Sequence, residues 1–256
     1  MLRASWILFS AHLLRTLLSR RALFCMVIAA VPTALSFVVA HVAEIDGSDE
    51  AQVPYFLFLQ VCVPLVALLL GSAVVSEEIE DRTISYLLTR PIPRASILIG
   101  RYLATLAILV LILGTSAGLT GHWLDSLAST GGRRLLPEGF GRTFVFVVVT
   151  GGAVYAAIYA AIGAWLKWPV IVGLGYTFAF EFLLANIPGK TQSLAVQYYL
   201  KSWLFGGDAS LGSRADFLTT ELLPPSEAIR SLVLIGVAAL ALGSWILSRR
   251  QFLLPS

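Results

Sequence analysis

The sequence predicts an all-α polytopic membrane protein with about six transmembrane helices and no separate soluble domain. Two observations predict it. Of the 256 residues, 57% are aliphatic, aromatic or sulfur-bearing and only 13% are charged, against roughly 45–50% apolar and about 25% charged in a soluble domain. The mean hydropathy is +0.83, and one compact soluble body cannot hide that much apolar surface. Second, the apolar residues fall into runs close to the ~20 residues that ~30 Å of hydrocarbon requires.

Residues 1–20 form the first element. Leu2, Trp6, Phe9, Leu13 and Leu17 recur at helical spacing, with Arg3, His12, Arg15, Arg20 and Arg21 among or after them. The pattern predicts an amphipathic interfacial helix lying on the cytoplasmic surface. An apolar run from Ala22 to about Ala40 follows directly and is read as the first span, with Pro32 as a kink. It exceeds the ~7–15 residues of a signal-peptide core, so it reads as uncleaved.

The remaining spans follow by length: about 54–75, 95–118, 143–166, 168–186 and 228–247. Trp165-Leu166-Lys167-Trp168-Pro169 makes a tight interfacial turn between the fourth and fifth. With the N-terminus inside, the inner segments hold Arg82, Arg90, Arg94, Arg101, Lys167, Arg249 and Arg250, while the first outer loop is acidic (Glu44, Asp46, Asp49 and Glu50). That asymmetry follows the positive-inside rule and places both termini in the cytoplasm. The outer segments are less orderly, since they hold Arg133, Arg134, Arg142, Lys190, Lys201, Arg214 and Arg230. Cys25 and Cys62 lie in apolar runs and read as packing residues.

Two connections are too long for turns. The outer one, 187–227, contains Leu194, Tyr198, Tyr199, Trp203 and Leu204 and is expected to form short helices at the outer interface. Pro224-Pro225-Ser226 ends it, with Ser226 as the cap of the last span. The inner one, 76–94, opens with Ser76 as a cap and the acidic run Glu77, Glu78, Glu80 and Asp81, which suits a helix N-terminus. Ile79, Thr83, Tyr86 and Leu87 make an apolar face, and Pro91 and Pro93 stop the helix. On physical grounds this is either a solvated loop or a helix that docks on a soluble partner.

The stretch Ser76–Ala104 resembles the loop between the second and third spans of ABC-2 type permeases, the membrane subunits of a class of ABC transporters. The family pattern is an acidic stretch, a threonine, a Leu-Leu pair, a Ser/Thr-Arg-Pro turn, an arginine, and a Gly-Lys opening the next span. Those places are held by Glu77, Glu78, Glu80 and Asp81; Thr83; Leu87 and Leu88; Thr89, Arg90 and Pro91; Arg94; and Gly100 with Arg101. Arg101 stands for the commoner lysine, and Arg82 and Ile84 flank the threonine where many members have glycine. A second, weaker likeness covers Glu181, Pro188-Gly189, Leu194 and Tyr198-Tyr199-Leu200.

The resemblance implies that 76–94 is a coupling helix seated on a separate ATPase chain. It implies Glu77, Glu78, Glu80, Asp81, Arg82 and Thr83 as docking residues, with Leu87 and Arg90 beside them. It further implies a second permease copy, a complex of two permeases and two ATPases, export as the direction, and a prokaryotic plasma (inner) membrane as the location. ATP and magnesium would be bound by the partner and no cofactor by this chain. Besides the ATPase, membrane lipid and an extracytoplasmic protein are the partners considered, and no nucleic acid is expected.

The chain lacks a nucleotide site of its own. Gly189-Lys190-Thr191 matches only the tail of a phosphate-binding loop, because position 184, where the first glycine belongs, is Leu184. His12, His41 and His122 are scattered beyond metal-ligand spacing, and no serine sits in a Gly-x-Ser-x-Gly elbow. No enzymatic activity is therefore expected of this chain.

Within the spans Glu181 stands out as an acidic residue, read either as an interhelical hydrogen-bonding group or as a substrate contact or gate. Tyr155 and Tyr159, four apart on one face, are read as path-lining or packing residues. Gly114 and Gly118 form a GxxxG pair, and Gly152, Ala156 and Ala160 a small-residue stripe, for close helix contact within the chain or between copies. Two further readings remain beside the exporter. In one, ATP drives mechanical transmission to an extracytoplasmic protein, with Tyr198, Tyr199 and Trp203 on the acting surface. In the other, the chain is a membrane anchor with no ATPase.

Overall fold

The computed structural model describes residues 16–17, 19–42, 54–80, 94–130, 139–166, 168–184, 190–206 and 222–249. All regular elements among them are helical. Helix α1 is Arg20–Val42; a π-helical stretch, Tyr55–Cys62, leads into α2, Val63–Glu80; α3 is Arg94–Thr130 and α4 is Phe140–Trp165. Helix α5, Pro169–Tyr176, is extended by a second π-helical stretch, Thr177–Leu184. A 3₁₀ turn, Lys190–Leu194, precedes α6, Val196–Phe205, and α7 is Pro225–Arg249.

Five stretches are long and apolar enough to cross a membrane: Arg20–Val38, Tyr55–Val74, Leu98–Asp125, Phe140–Trp165 and Pro225–Arg249. They match the first four expected spans and the last. Helix α3 runs on past the expected end at residue 118, since nothing from Gly118 to Thr130 breaks it. The expected fifth span is different. Its α and π parts hold 8 residues each, at most about 24 Å at ~1.5 Å per residue, short of the ~30 Å of a hydrocarbon core.

Helix α4 is the central strut, because small residues let its neighbours come close. A Cβ on Gly71 of α2 would lie 2.8 Å from the Ala156 carbonyl oxygen, and one on Gly163 of α4 would lie 3.0 Å from that of Ser72. Gly152 receives the side chains of Leu109 and Leu113 from α3. The small-residue stripe is thus spent on contacts within the chain. The GxxxG pair is not: a Cβ on Gly114 would meet Val149 at 3.7 Å, and one on Gly118 would meet nothing within 4 Å. Lipid tails are as apolar as these side chains, so close packing and hydrogen bonds supply the contact energy between helices. Phe58 and Phe144 pack edge to face at 5.3 Å in the core.

Polar pairs tie α1 to α3. Ser116 Oγ donates to the Ala29 carbonyl at 2.5 Å, and its oxygen lies 2.6 Å from Thr33 Oγ1. Large apolar side chains are left exposed on α1 (Leu23, Val27), α5 (Ile171) and its π extension (Phe178), and α7 (Leu234, Val237). These are faces for lipid or for other chains.

Four local expectations change. The helix start at Arg20 is capped by Ser19, whose Oγ accepts from Ala22 N at 3.2 Å; residues 1–15 lie outside the described residues. Ser76 is not at a helix start, because α2 continues through it to Glu80. Helix interiors without a glycine or proline continue, and the dipole's preference for acidic residues at an N-terminus, about 0.3–1 kcal/mol, does not outweigh a turn of helix. Ser226 is likewise inside α7: the Pro224 carbonyl accepts from Ala228 N at 3.1 Å, and Pro225 takes the first helical position. Finally, 187–227 does contain a short helix, α6, but it does not lie on a surface. Val196, Gln197, Leu200, Lys201, Ser202, Leu204 and Phe205 are buried.

Candidate functional site

The position of α6 follows from its neighbours. Leu200 fills the space over Gly151 of α4, beside Val63. Phe205 meets Tyr55 at 5.5 Å and Phe140 at 6.2 Å between ring centroids. Val63 follows the whole π-helical stretch Tyr55–Cys62 and Gly151 lies well inside α4, whereas Tyr55 and Phe140 lie at the bundle end where α4 begins. Helix α6 therefore runs from mid-depth to that end. Helix α5 starts at the opposite end, beside the close of α4. Together α5, its π extension and α6 make one broken crossing.

Glu181 sits at the break and is fully buried. Its Oε2 accepts from the Tyr155 hydroxyl at 2.7 Å and from Gln197 N at 3.1 Å. Its Oε1 accepts from the Tyr176 hydroxyl at 2.9 Å and from Val196 N at 3.2 Å. The two amides are the first of α6, which has Ala195 at its N-cap and no side-chain cap there. A carboxylate from another element thus caps α6, where the unpaired N–H groups and the helix dipole favour negative charge. A buried charge is tolerable only when its lone pairs are satisfied, and four donors satisfy these.

Aromatic rings brace the carboxylate. Tyr155 and Tyr159 stack at 6.1 Å, Tyr159 meets Tyr176 edge to face at 6.3 Å, and Tyr176 stacks on Phe180 at 5.6 Å. The Tyr159 hydroxyl lies 2.6 Å from Thr177 Oγ1, which donates to the Gly173 carbonyl at 2.8 Å. Gln197 Nε2 donates to the Leu59 carbonyl at 3.4 Å, linking α6 to the start of the second crossing.

The structure therefore brings together Tyr155, Tyr159 and Glu181, three residues singled out from sequence. It adds Tyr176, Thr177 and Gln197, which sequence did not single out as site residues. Tyr176 lay in view, five residues before Glu181, but a helix of uniform α pitch would not turn both side chains to one point. Of the outer residues, Tyr198 and Tyr199 touch at 5.4 Å, and the Tyr199 hydroxyl donates to the Ser193 carbonyl at 2.8 Å. Trp203 is half-buried on α6.

The residues expected to dock an ATPase are placed only in part. Glu77, Glu78 and Glu80 occupy the last turn and a half of α2. Asp81, Arg82, Thr83, Leu87 and Arg90 lie outside the described residues. Among the described residues no cluster of His, Cys, Asp or Glu is suited to a metal ion.

No curated protein matches the chain. A family model described as "ABC-2 family transporter protein" matches residues 2–250, from the amphipathic start through the last helix. With that match across the apolar helical bundle and the loop motif between α2 and α3, the chain belongs to the ABC-2 transporter family as a membrane-embedded permease subunit.

Proposed function

We propose that this permease couples ATP hydrolysis in a separate ATPase chain to export of a substrate, in a complex of two permeases and two ATPases. The observation that carries the reading is the family match over residues 2–250. The acidic motif from Glu77 to Thr83 and the Thr89-Arg90-Pro91 turn between α2 and α3 support the placing of the ATPase contact there. On this reading the near end of the bundle, where α1 starts, α2 and α7 end and α3 begins, faces the cytoplasm across a prokaryotic plasma membrane. Both chain termini are then cytoplasmic, and the α6–α7 connection faces out.

Within this reading Glu181 is a latch, not a substrate contact. Its side chain has no exposed surface and its carboxylate accepts four hydrogen bonds. Rearrangement of the bundle during transport would act on the broken crossing through it. A second reading, mechanical transmission to an extracytoplasmic protein, is favoured by the same latch. Glu181 ties α6 to α4 and α5, so movements of the bundle would carry α6 with them as a lever.

The test is purification of the tagged chain from its native membrane under gentle extraction, with an ATPase assay and identification of co-purifying chains. A stoichiometric ATPase, lost when Glu77, Glu78, Glu80 and Asp81 are changed to lysine, is the expected result. An intact, folded chain that brings down no ATPase would return it to the anchor reading. Capture of an extracytoplasmic protein, with ATPase activity retained and no substrate moved, would favour the lever.

A further inference from the structure

The near ends of α2 and α3 meet at one neck, and a buried arginine closes it. Arg101, one turn into the apolar part of α3, is only 9% exposed. Its Nη1 donates to the carbonyl of Val74 on α2 at 3.1 Å, across 27 residues of sequence. Val74 is itself fully buried and belongs to a compact cluster with Leu98, Ala160, Ala164 and Leu247. That cluster joins the near ends of α2, α3, α4 and α7. Backbone contacts tighten it: a Cβ on Gly243 of α7 would lie 3.2 Å from Ala161 Cα and 3.4 Å from Leu98 Cδ2.

A guanidinium at this depth is costly unless its donors are used. Nη1 is used across to α2, while Nε is buried without a hydrogen bond. Arginine's planar fork holds Nη1 in a fixed direction, which lysine's flexible stem does not.

We propose that Arg101 is a positioning residue that clamps the near ends of α2 and α3 together, so that the two helices are displaced as one unit. The clamp rests on the permease reading for its purpose but not for its existence. Without it, a displacement of the near end of either helix would be spent in spreading the two at the neck instead of reaching α4 and α7 through the shared cluster.

The experiment places spin labels on Leu69→Cys of α2 and Ile99→Cys of α3, with the buried Cys25 and Cys62 changed to alanine. The inter-label distance is measured in the full complex, nucleotide-free and vanadate-trapped. The expected result is one narrow distance in both states for the clamped protein. In Arg101→Ala it separates into two populations, with the ATPase still bound and still trapping nucleotide. Arg101→Lys gives an intermediate width.

A distance in Arg101→Ala as narrow and as constant as in the parent would overturn the clamp. So would a parent distance that already changes on trapping. Loss of the ATPase from both variants would overturn it too, by putting Arg101 in the docking surface. Should Arg101→Ala not accumulate, Arg101→Lys decides, and an unbroadened distance there overturns the proposal. If the parent captures no ATPase, the permease reading fails separately, and the widths in the isolated chains still test the clamp.

Discussion

At Glu181 a single carboxylate does the work of four separate capping and bridging groups. Its removal would leave two hydroxyls and two amides in the bundle without their acceptor. Each unsatisfied buried group costs about 1–3 kcal/mol, so Glu181→Ala is expected to lower stability by several kcal/mol, read as thermal unfolding in detergent. Tyr155→Phe removes one donor and leaves the carboxylate its other three. A loss of about 1–2 kcal/mol is expected there. Glu181→Gln should fall between, because its amide nitrogen turns a donor toward donors that need an acceptor. If the alanine and phenylalanine variants melt alike, the carboxylate is not the hub described. The sequence showed the charge within the fifth crossing and a tyrosine pair on one face of the fourth, but not that they meet. It did not show the partners from α6, because capping by a residue 15 positions away leaves no local signature.

Between helices, contact depends on where side chains are missing. Gly71→Leu would force a side chain into the Ala156 backbone, and strong loss of folded protein is expected, read by size-exclusion recovery. Gly118→Ala meets open space and should be neutral or stabilising by up to about 1 kcal/mol through helix propensity. Gly118→Leu asks a different question. If a second copy rests on this face, dimer cross-linking falls while the monomer stays folded; unchanged cross-linking would exclude Gly118 from a copy–copy contact. Span positions were legible from run length, because the bilayer fixes that length. Helix ends were less so. Ser76 and Ser226 look like caps in isolation, yet α2 and α7 run through them, while Ser19, which does cap, sits among basic residues that drew the reading toward an interface helix.

For the molecule as a whole, burial separates faces that hydropathy cannot. Leu234 and Val237 of α7 are exposed while Leu232 is fully buried, although all three are apolar and belong to one helix. A lipid-phase photoreactive probe is expected to label Leu234 and Val237 and to spare Leu232, as read by mass spectrometry. Equal labelling would mean that α7 is rotated relative to this packing. The broken fifth crossing was the largest departure from the sequence-based layout. Residues 168–186 are apolar enough for a span, and only tertiary structure shows that the far half of that crossing is supplied by α6.

The π-helical stretch Thr177–Leu184 has a consequence for how this protein can change. A π turn is an α turn with a residue added, and such turns are frequent at functional sites. Deleting one residue between Thr177 and Phe180 would let the stretch relax to α pitch with the chain beyond it held near its present direction, because the π turn already absorbs one residue. The same deletion in α5 would swing everything beyond it by about 100° and take Glu181 away from Tyr155 and the start of α6 without a single side chain having been exchanged. Single-residue deletions should be best tolerated within the π stretch, and a deletion scan across 170–184, scored by surface expression, would show its maximum there.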